Sequence, residues 1–333
     1  MPPAGWYRLR FVLPISKRHG WATRSPEGLR NAVEYFEAAL ARDSLFVPAW
    51  VGLAAAYNAM PWWTEYSFRD GAERSKRAAR RALRLDPENA EAMYTLATTL
   101  FEFDRAWEES DRLFERALRI DPDYPPGLTW YGQFLTDQAR FEEGLVWVQR
   151  AVDADPFSLH ALNSAAQVEM SAGRWRDAAD TFDRALGVDP EFKTALAGSA
   201  HVRARLGEWE QAESLARRWF VLEGEESAAD LASDLIAGVR DADERGRALR
   251  AIETLSPRTM RPWLAAEWLL LLGDREGVLD QIDRMIAEDE KDGILISLFT
   301  IVGVEDLVGE PRFEAAIDRA GLRRFAGNLA TGS

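Results

Sequence analysis

The chain of 333 residues contains no cysteine, which excludes disulfides, thiolate metal sites and a cysteine nucleophile. Histidine is almost as scarce: His19, His160 and His201 are the only three, and none has a paired metal-ligand spacing such as HExxH. Lysine occurs four times beside 37 arginines, a skew that carries no mechanism. There is no Walker loop, no GxGxxG and no GxSxG, so catalysis has no positive sign and neither a cofactor nor a metal is expected. Long apolar runs are missing too. WLAAEWLLLLG at 263–273 is interrupted by Glu267, and GILISLFTIVGV at 293–304 is short; a membrane span takes ~20 apolar residues. The apolar run Phe11 to Ile15 is too short for a secretory signal, so the expected location is the cytoplasm. Excess positive charge is absent as well. A net charge of −14 and a pI near 4.9 disfavour a nucleic-acid surface, which needs a dense basic face. The basic strip RSKRAARRALR at 74–84 has helical spacing that turns Ala and Leu inward and its arginines to water, and reads as a solvated face.

What the chain does have is a period. Trp107, Phe141, Trp175 and Trp209 follow one another at 34 residues, in the phrases DRAWEES, ARFEEG, GRWRDA and GEWEQA. Pro87, Pro122, Pro156 and Pro190 keep step at intervals of 35, 34 and 34. A fixed period in the thirties means stacked units, each too small to bury its own apolar face. The aromatics sit at the turn between paired helices, where they pack the units together.

From Ser25-Pro26-Glu27, a helix start, the first helix carries Leu29, Ala32, Val33, Phe36, Ala39 and Leu40 on one face. Next, PAWVGLAAAY places Trp50, Leu53, Ala54 and Tyr57 in the pattern W-x2-L-[GA]-x2-Y. Small and aromatic residues then recur before each proline: Ser110, Phe114 and Ala117; Gly144, Val148 and Ala151; Ala178, Phe182 and Ala185. In these residues the chain resembles the tetratricopeptide repeat (TPR) family. The resemblance implies an all-α, right-handed TPR superhelix (an α-solenoid) of about seven helix pairs. Pairs are expected at about 45–85, 89–120, 124–154, 158–188 and 192–222.

The organisation expected is an N-terminal segment or opening helix at 1–24, a regular array at 25–224, degenerate pairs and a cap at 225–325, and a tail at 326–333. One degenerate pair ends at Pro257; a second turns at Gly273; ILISLFTIVGVEDLV then reads as one more helix. Last comes a short capping helix, opened by Pro311 and ended by Gly321, with Phe313, Ala316, Ile317 and Leu322 on its covered face. The first pair is too long by the aromatic loop 61–70, with Trp62, Trp63, Tyr66 and Phe68. That loop either grips a ligand or folds back over the next repeat. The second is favoured, since so aromatic a loop rarely stays solvated.

Beyond the repeat, RSPEGLRNAVEYFEAAL, FEFDRAWEESDRLFERAL, LTWYGQFL and PRFEAAIDRAGL are similar to a bacterial group in which a TPR array is the C-terminal half of signalling proteins. The N-terminal halves there are winged-helix regulators, class III adenylate cyclases or serine/threonine kinases. No such domain is found here, so the expectation is either a fragment or a chain that works alone.

TPR resemblance also implies that first helices line a concave groove that takes an extended peptide or a partner helix. Carried onto this sequence, the groove comprises Thr95, Thr99, Glu102 and Phe103; Thr129, Gln133, Thr136 and Asp137; His160, Asn163, Gln167 and Met170; and Thr194, His201 and Arg205. The amides of Gln133, Asn163 and Gln167 each offer a donor and an acceptor to a peptide backbone, and Phe103 an apolar anchor. His160 and His201 point into the same groove without a third ligand beside them. Glu102, Asp137 and the lack of a groove lysine disfavour a clamp for chaperone C-termini. The function expected is a non-enzymatic adaptor in bacterial signalling that binds a protein or peptide, with no nucleic acid and no membrane. The alternative is a ligand-sensing module separated from its effector domain.

Overall fold

The structure is a computed structural model, and it describes residues 26–225, 227–256, 259–292, 298–301 and 303–329. The expected N-cap Ser25 and the turn proline Pro257 lie outside the described residues. Seventeen α-helices and four short 3-10 turns, with no strand, make up the regular structure of the described residues. The chain forms two compact units. Among the described residues, one runs from Pro26 to Pro122 and takes in the three residues 290–292 at the end of a helix of the other; the other holds the rest, from Asp123 on.

The first unit contains α1 (Pro26–Arg42), α2 (Val47–Trp63), α3 (Phe68–Leu85), α4 (Ala90–Asp104) and α5 (Trp107–Ile120). Each helix packs on the next, and α2 also packs on α4. The second unit begins with α6 (Pro125–Thr136), α7 (Phe141–Ala154), α8 (Leu159–Ser171), α9 (Trp175–Val188), α10 (Lys193–Arg205) and α11 (Trp209–Glu223). It continues with α12 (Ala228–Arg240), α13 (Arg245–Thr254), α14 (Pro262–Leu271), α15 (Arg275–Asp292), α16 (Pro311–Arg319) and α17 (Ala326–Leu329). From α6 to α13 successive helices pack on one another, and the first helices α6, α8, α10 and α12 pack along their own row. Helix α1 is thus followed by seven helix pairs among the described residues.

Two turn devices generate the period. Second helices end at Asp86, Asp121, Asp155 and Asp189, whose N–H groups close the last helical bond onto Ala82, Ala117, Ala151 and Ala185. A proline follows each aspartate and cannot continue the helix. In three of these turns the aspartate carboxylate accepts the N–H two residues on: Glu88 at 3.3 Å, Phe157 at 3.3 Å and Glu191 at 2.9 Å. Between paired helices, left-handed residues stand two places before each repeat aromatic: Arg105 (φ 52), Ala139 (φ 55), Gly173 (φ 70) and Gly207 (φ 76). Each aromatic is then the first residue of its second helix, as expected.

Packing follows the same beat. Ala82, Ala117, Ala151 and Ala185 are fully buried, as are Phe114, Val148 and Phe182 one helical turn earlier. Their small and large side chains alternate, which lets paired helices approach while the rings fill the space around them.

Two expectations are corrected. The aromatic stretch 61–70 is mostly helical: α2 runs through Pro61 to Trp63, and α3 opens at Phe68 behind the cap of Ser67. Pro61 cannot donate to the Tyr57 carbonyl. A Cβ at Gly71 would lie 2.9 Å from that oxygen and 2.6 Å from the proline ring, so the glycine is what lets α3 approach. Trp62 stays exposed, edge-on to Phe68 at 5.0 Å, and half-buried Phe68 lies against Phe103 of α4 at 6.3 Å. Of the helix expected over ILISLFTIVGVEDLV, residues 294–297 and 302 lie outside the described residues; the described part holds two 3-10 turns, Leu298–Thr300 and Val304–Leu307, the second preceded by left-handed Gly303 (φ 89). The capping helix forms as expected, with Phe313, Ala316, Ile317 and Leu322 buried. Arg312 ties it to α15 through Glu276 (3.0 Å), Asp280 (2.9 Å) and Asp283 (2.6 Å).

Candidate binding surfaces

In the first unit, α4 is buried from Ala92 to Phe101 on every side, and two residues expected to line a groove serve its packing. Thr95 donates to the Glu91 carbonyl at 3.0 Å and Thr99 to that of Thr95 at 2.8 Å. The Thr99 hydroxyl also accepts from Asn58 at 3.2 Å and lies 3.1 Å from that of Ser75. Phe103 is half-buried against Phe68.

In the second unit, Thr129 is buried, its hydroxyl turned back to the Pro125 carbonyl at 3.0 Å. Gln133, Asp137, His160, Asn163 and Gln167 are all half-buried. Gln133 Nε2 donates to Ser164 Oγ at 3.0 Å, linking first helices α6 and α8. Asn163 Oδ1 is buried without a hydrogen-bond partner among the described residues. Arg205 is exposed, its guanidinium 4.3 Å above the Trp175 ring.

His201 is 1 % exposed, edge-on to Trp268 of α14 at 5.3 Å. Burial pushes its pKa down to about 4; the Glu267 backbone partly offsets this without making a hydrogen bond of good geometry, and Arg205 adds a small push in the same direction as burial. Both ring nitrogens and the Trp268 indole nitrogen are buried and unpartnered among the described residues. On α8, burial lifts the Glu169 carboxyl to about 7, opposed by the Thr181 hydroxyl and nearby arginines.

The chain's own C-terminal stretch meets this row of helices. The turn Leu298–Thr300 packs on α8, with Leu298 and Phe299 fully buried. Asn328 Nδ2 donates to the Gln138 carbonyl, just beyond α6, at 2.8 Å. Sequence reading missed this neighbourhood. The available signal was the run WLAAEWLLLLG itself: a helix apolar all round is a buried one, and its middle, Leu264 to Leu269, is buried, with Glu267 at 6 % exposed.

A family model described as tetratricopeptide repeat matches residues 67–125 and 163–220. In these stretches the chain is similar to TPR repeats. They take in α3 to α5 and most of α8 to α11, where the turns and the small-to-large packing recur. Among solved structures, Pseudomonas aeruginosa pilF is 20% identical, with 74% of this chain and 99% of that one covered at a TM-score of 0.51. The human IFIT1 dimer with PPP-AAAA is 17% identical, with 92% and 72% covered at a TM-score of 0.57. At such identities the likeness is one of fold, and it extends the TPR-like architecture over helices the family model does not reach. No curated protein matches the chain in sequence. Among the described residues no helix is long and apolar enough to cross a membrane, and no group of His, Asp and Glu could hold a metal.

Proposed function

We propose that the chain is a non-enzymatic scaffold that holds a protein or peptide segment against its first helices. The observation that carries this reading is internal to the second unit. Helix α8 of the first-helix row already receives a short 3-10 turn of the chain itself, Leu298–Thr300. A surface that seats one irregular segment has the amides and apolar floor to seat another. Gln133, Asn163 and Gln167, all half-buried, supply the amides. The similarity to arrays of bacterial signalling proteins supports a place in signalling or regulation, in the cytoplasm. A partner recovered with the full chain is expected to be lost when Gln133 and Asn163 are both replaced by Ala, with the melting temperature unchanged. Equal recovery would remove the first-helix face from the account.

A second reading, ligand sensing apart from an effector domain, is favoured by the buried, unpartnered nitrogens of His201 and Trp268, whose rings meet at 5.3 Å. A small polar molecule among them would supply the missing hydrogen bonds. It predicts that one metabolite raises the melting temperature of the wild-type chain and not of His201→Leu.

A further inference from the structure

The basic strip read from sequence as a solvated face is, in the first unit, one wall of a cleft. Arg74, Arg77, Arg80, Arg81 and Arg84 of α3 face Trp50, Leu53 and Tyr57 of α2 around a space of about 450 Å³. Lys76 of the same helix is committed elsewhere: it is buried and paired with Asp104 at 2.7 Å and Glu73 at 2.8 Å. Arg74 donates to the Tyr57 hydroxyl at 3.1 Å, and that hydroxyl donates to Glu37 at 2.7 Å. Arg77, Arg80, Arg81 and Arg84 have no hydrogen bond or ion pair among the described residues. No acid interrupts the sequence from Arg74 to Leu85. Two acids bracket that run, Glu73 before it and Asp86 after it; Glu73 is held ionised chiefly by Lys76, with Arg77 and Arg80 adding to the effect. Four unpaired guanidiniums on one cleft wall, in a chain of net charge −14, form a local reversal of sign.

We infer that this cleft binds an acidic peptide segment in extended form. From Arg77 to Arg84 the strip rises about 10 Å along the helix, two turns, which three to four extended residues span. Side chains of an extended segment alternate, so carboxylates on one side meet the arginines while apolar side chains on the other meet Leu53, Ala78 and the Trp50 ring. Trp50 is fixed for this by its indole N–H, which donates to the Ser44 carbonyl at 2.9 Å. A nucleic acid fits less well, because Trp50 is the one half-buried ring on the cleft wall and base stacking wants a succession of them. Residues 1–25 are a poor occupant by charge: they hold Arg8, Arg10, Lys17, Arg18 and Arg24 and no acid. The inference is independent of the first-helix amides of the second unit, and either can fail alone.

The test is fluorescence anisotropy of a labelled peptide of five Glu-Leu repeats with the full chain, beside a Lys-Leu peptide, a poly-dT oligonucleotide and inorganic pyrophosphate as competitors. The Glu-Leu peptide is expected to bind, to weaken with added salt, and to lose about tenfold or more in affinity when Arg77 and Arg84 are both replaced by Glu. The milder Arg77→Gln, Arg84→Gln pair should lose less and keep the wild-type melting temperature. Arg119→Gln, on α5, should change nothing. No binding of the acidic peptide, equal binding by the reversed-charge variant, or displacement by oligonucleotide or pyrophosphate at concentrations where the peptide competes poorly would each overturn the inference.

Discussion

Glu169 and His201 are both buried ionisable residues of the second unit, and burial drives their pKa values toward each other's ordinary range. Glu169 has a folded pKa near 7, above its unfolded value. The folded state therefore binds the extra proton between about pH 4.5 and 7, and stability falls as pH rises through that window. His201 has a folded pKa near 4, below its unfolded value. There the unfolded state binds the extra proton, and stability falls as pH drops from about 6.5 to 4. Each effect is on the order of 3 kcal/mol at about 1.4 kcal/mol per pKa unit, and in the wild type they oppose one another. Urea unfolding across pH 4 to 8 should show Glu169→Gln with stability that rises with pH, and His201→Leu with stability that falls. Parallel profiles for the two variants would show that these groups do not govern the window.

Gly173 and Gly207 act at the same scale. Their left-handed φ values are those of Arg105 and Ala139 at the equivalent turns, so the period prescribes the conformation and leaves the residue free. A Cβ at Gly173 meets no atom within 4 Å, so Gly173→Ala isolates the backbone cost. It should lose about 1 kcal/mol in urea unfolding.

Among the elements, the second helices carry the packing. Phe182 is 1 % exposed, and its ring sits where a Cβ on Gly198 of the next first helix would lie 2.3 Å away. Phe182→Ala should cost about 3–5 kcal/mol, while Arg176→Ala, exposed on the same helix, should stay within about 0.5 kcal/mol. A small loss at Phe182 would mean that α9 and α10 are not held by the repeat's aromatic.

This is also the scale at which the sequence was legible. The aromatic and proline beat predicts the turns because each turn needs its own chemistry: a left-handed residue before the aromatic, and an aspartate-proline stop after the small-large pair. What did not show was anything set by distant packing. Helix α2 passes Pro61 because Gly71, ten residues on, makes room. The described part of the helix expected over 294–308 is two 3-10 turns, with left-handed Gly303 before the second, in a run whose apolar character suits a buried turn as well as a helix. The first-helix residues were picked by their place in the repeat, which identifies a face and says nothing of what lies on it. That Leu298 and Phe299 pack on α8, or that Trp268 meets His201, depends on contacts across more than sixty residues and leaves no periodic mark.

For the whole molecule, the two units differ in what they offer. The first presents four unpaired arginines on α3 beside Trp50; the second presents a row of first helices with amides, buried ionisable groups and a segment of its own chain against α8. In the proposed function both surfaces would take a chain segment, and the central claim concerns the second. Hydrogen–deuterium exchange on the full chain, with and without a recovered partner, tests it most directly. Added protection is predicted in 125–136, 159–171 and 193–205, the first helices of the second unit. Protection confined to the second helices 141–154, 175–188 and 209–223, with those stretches unchanged, would contradict it.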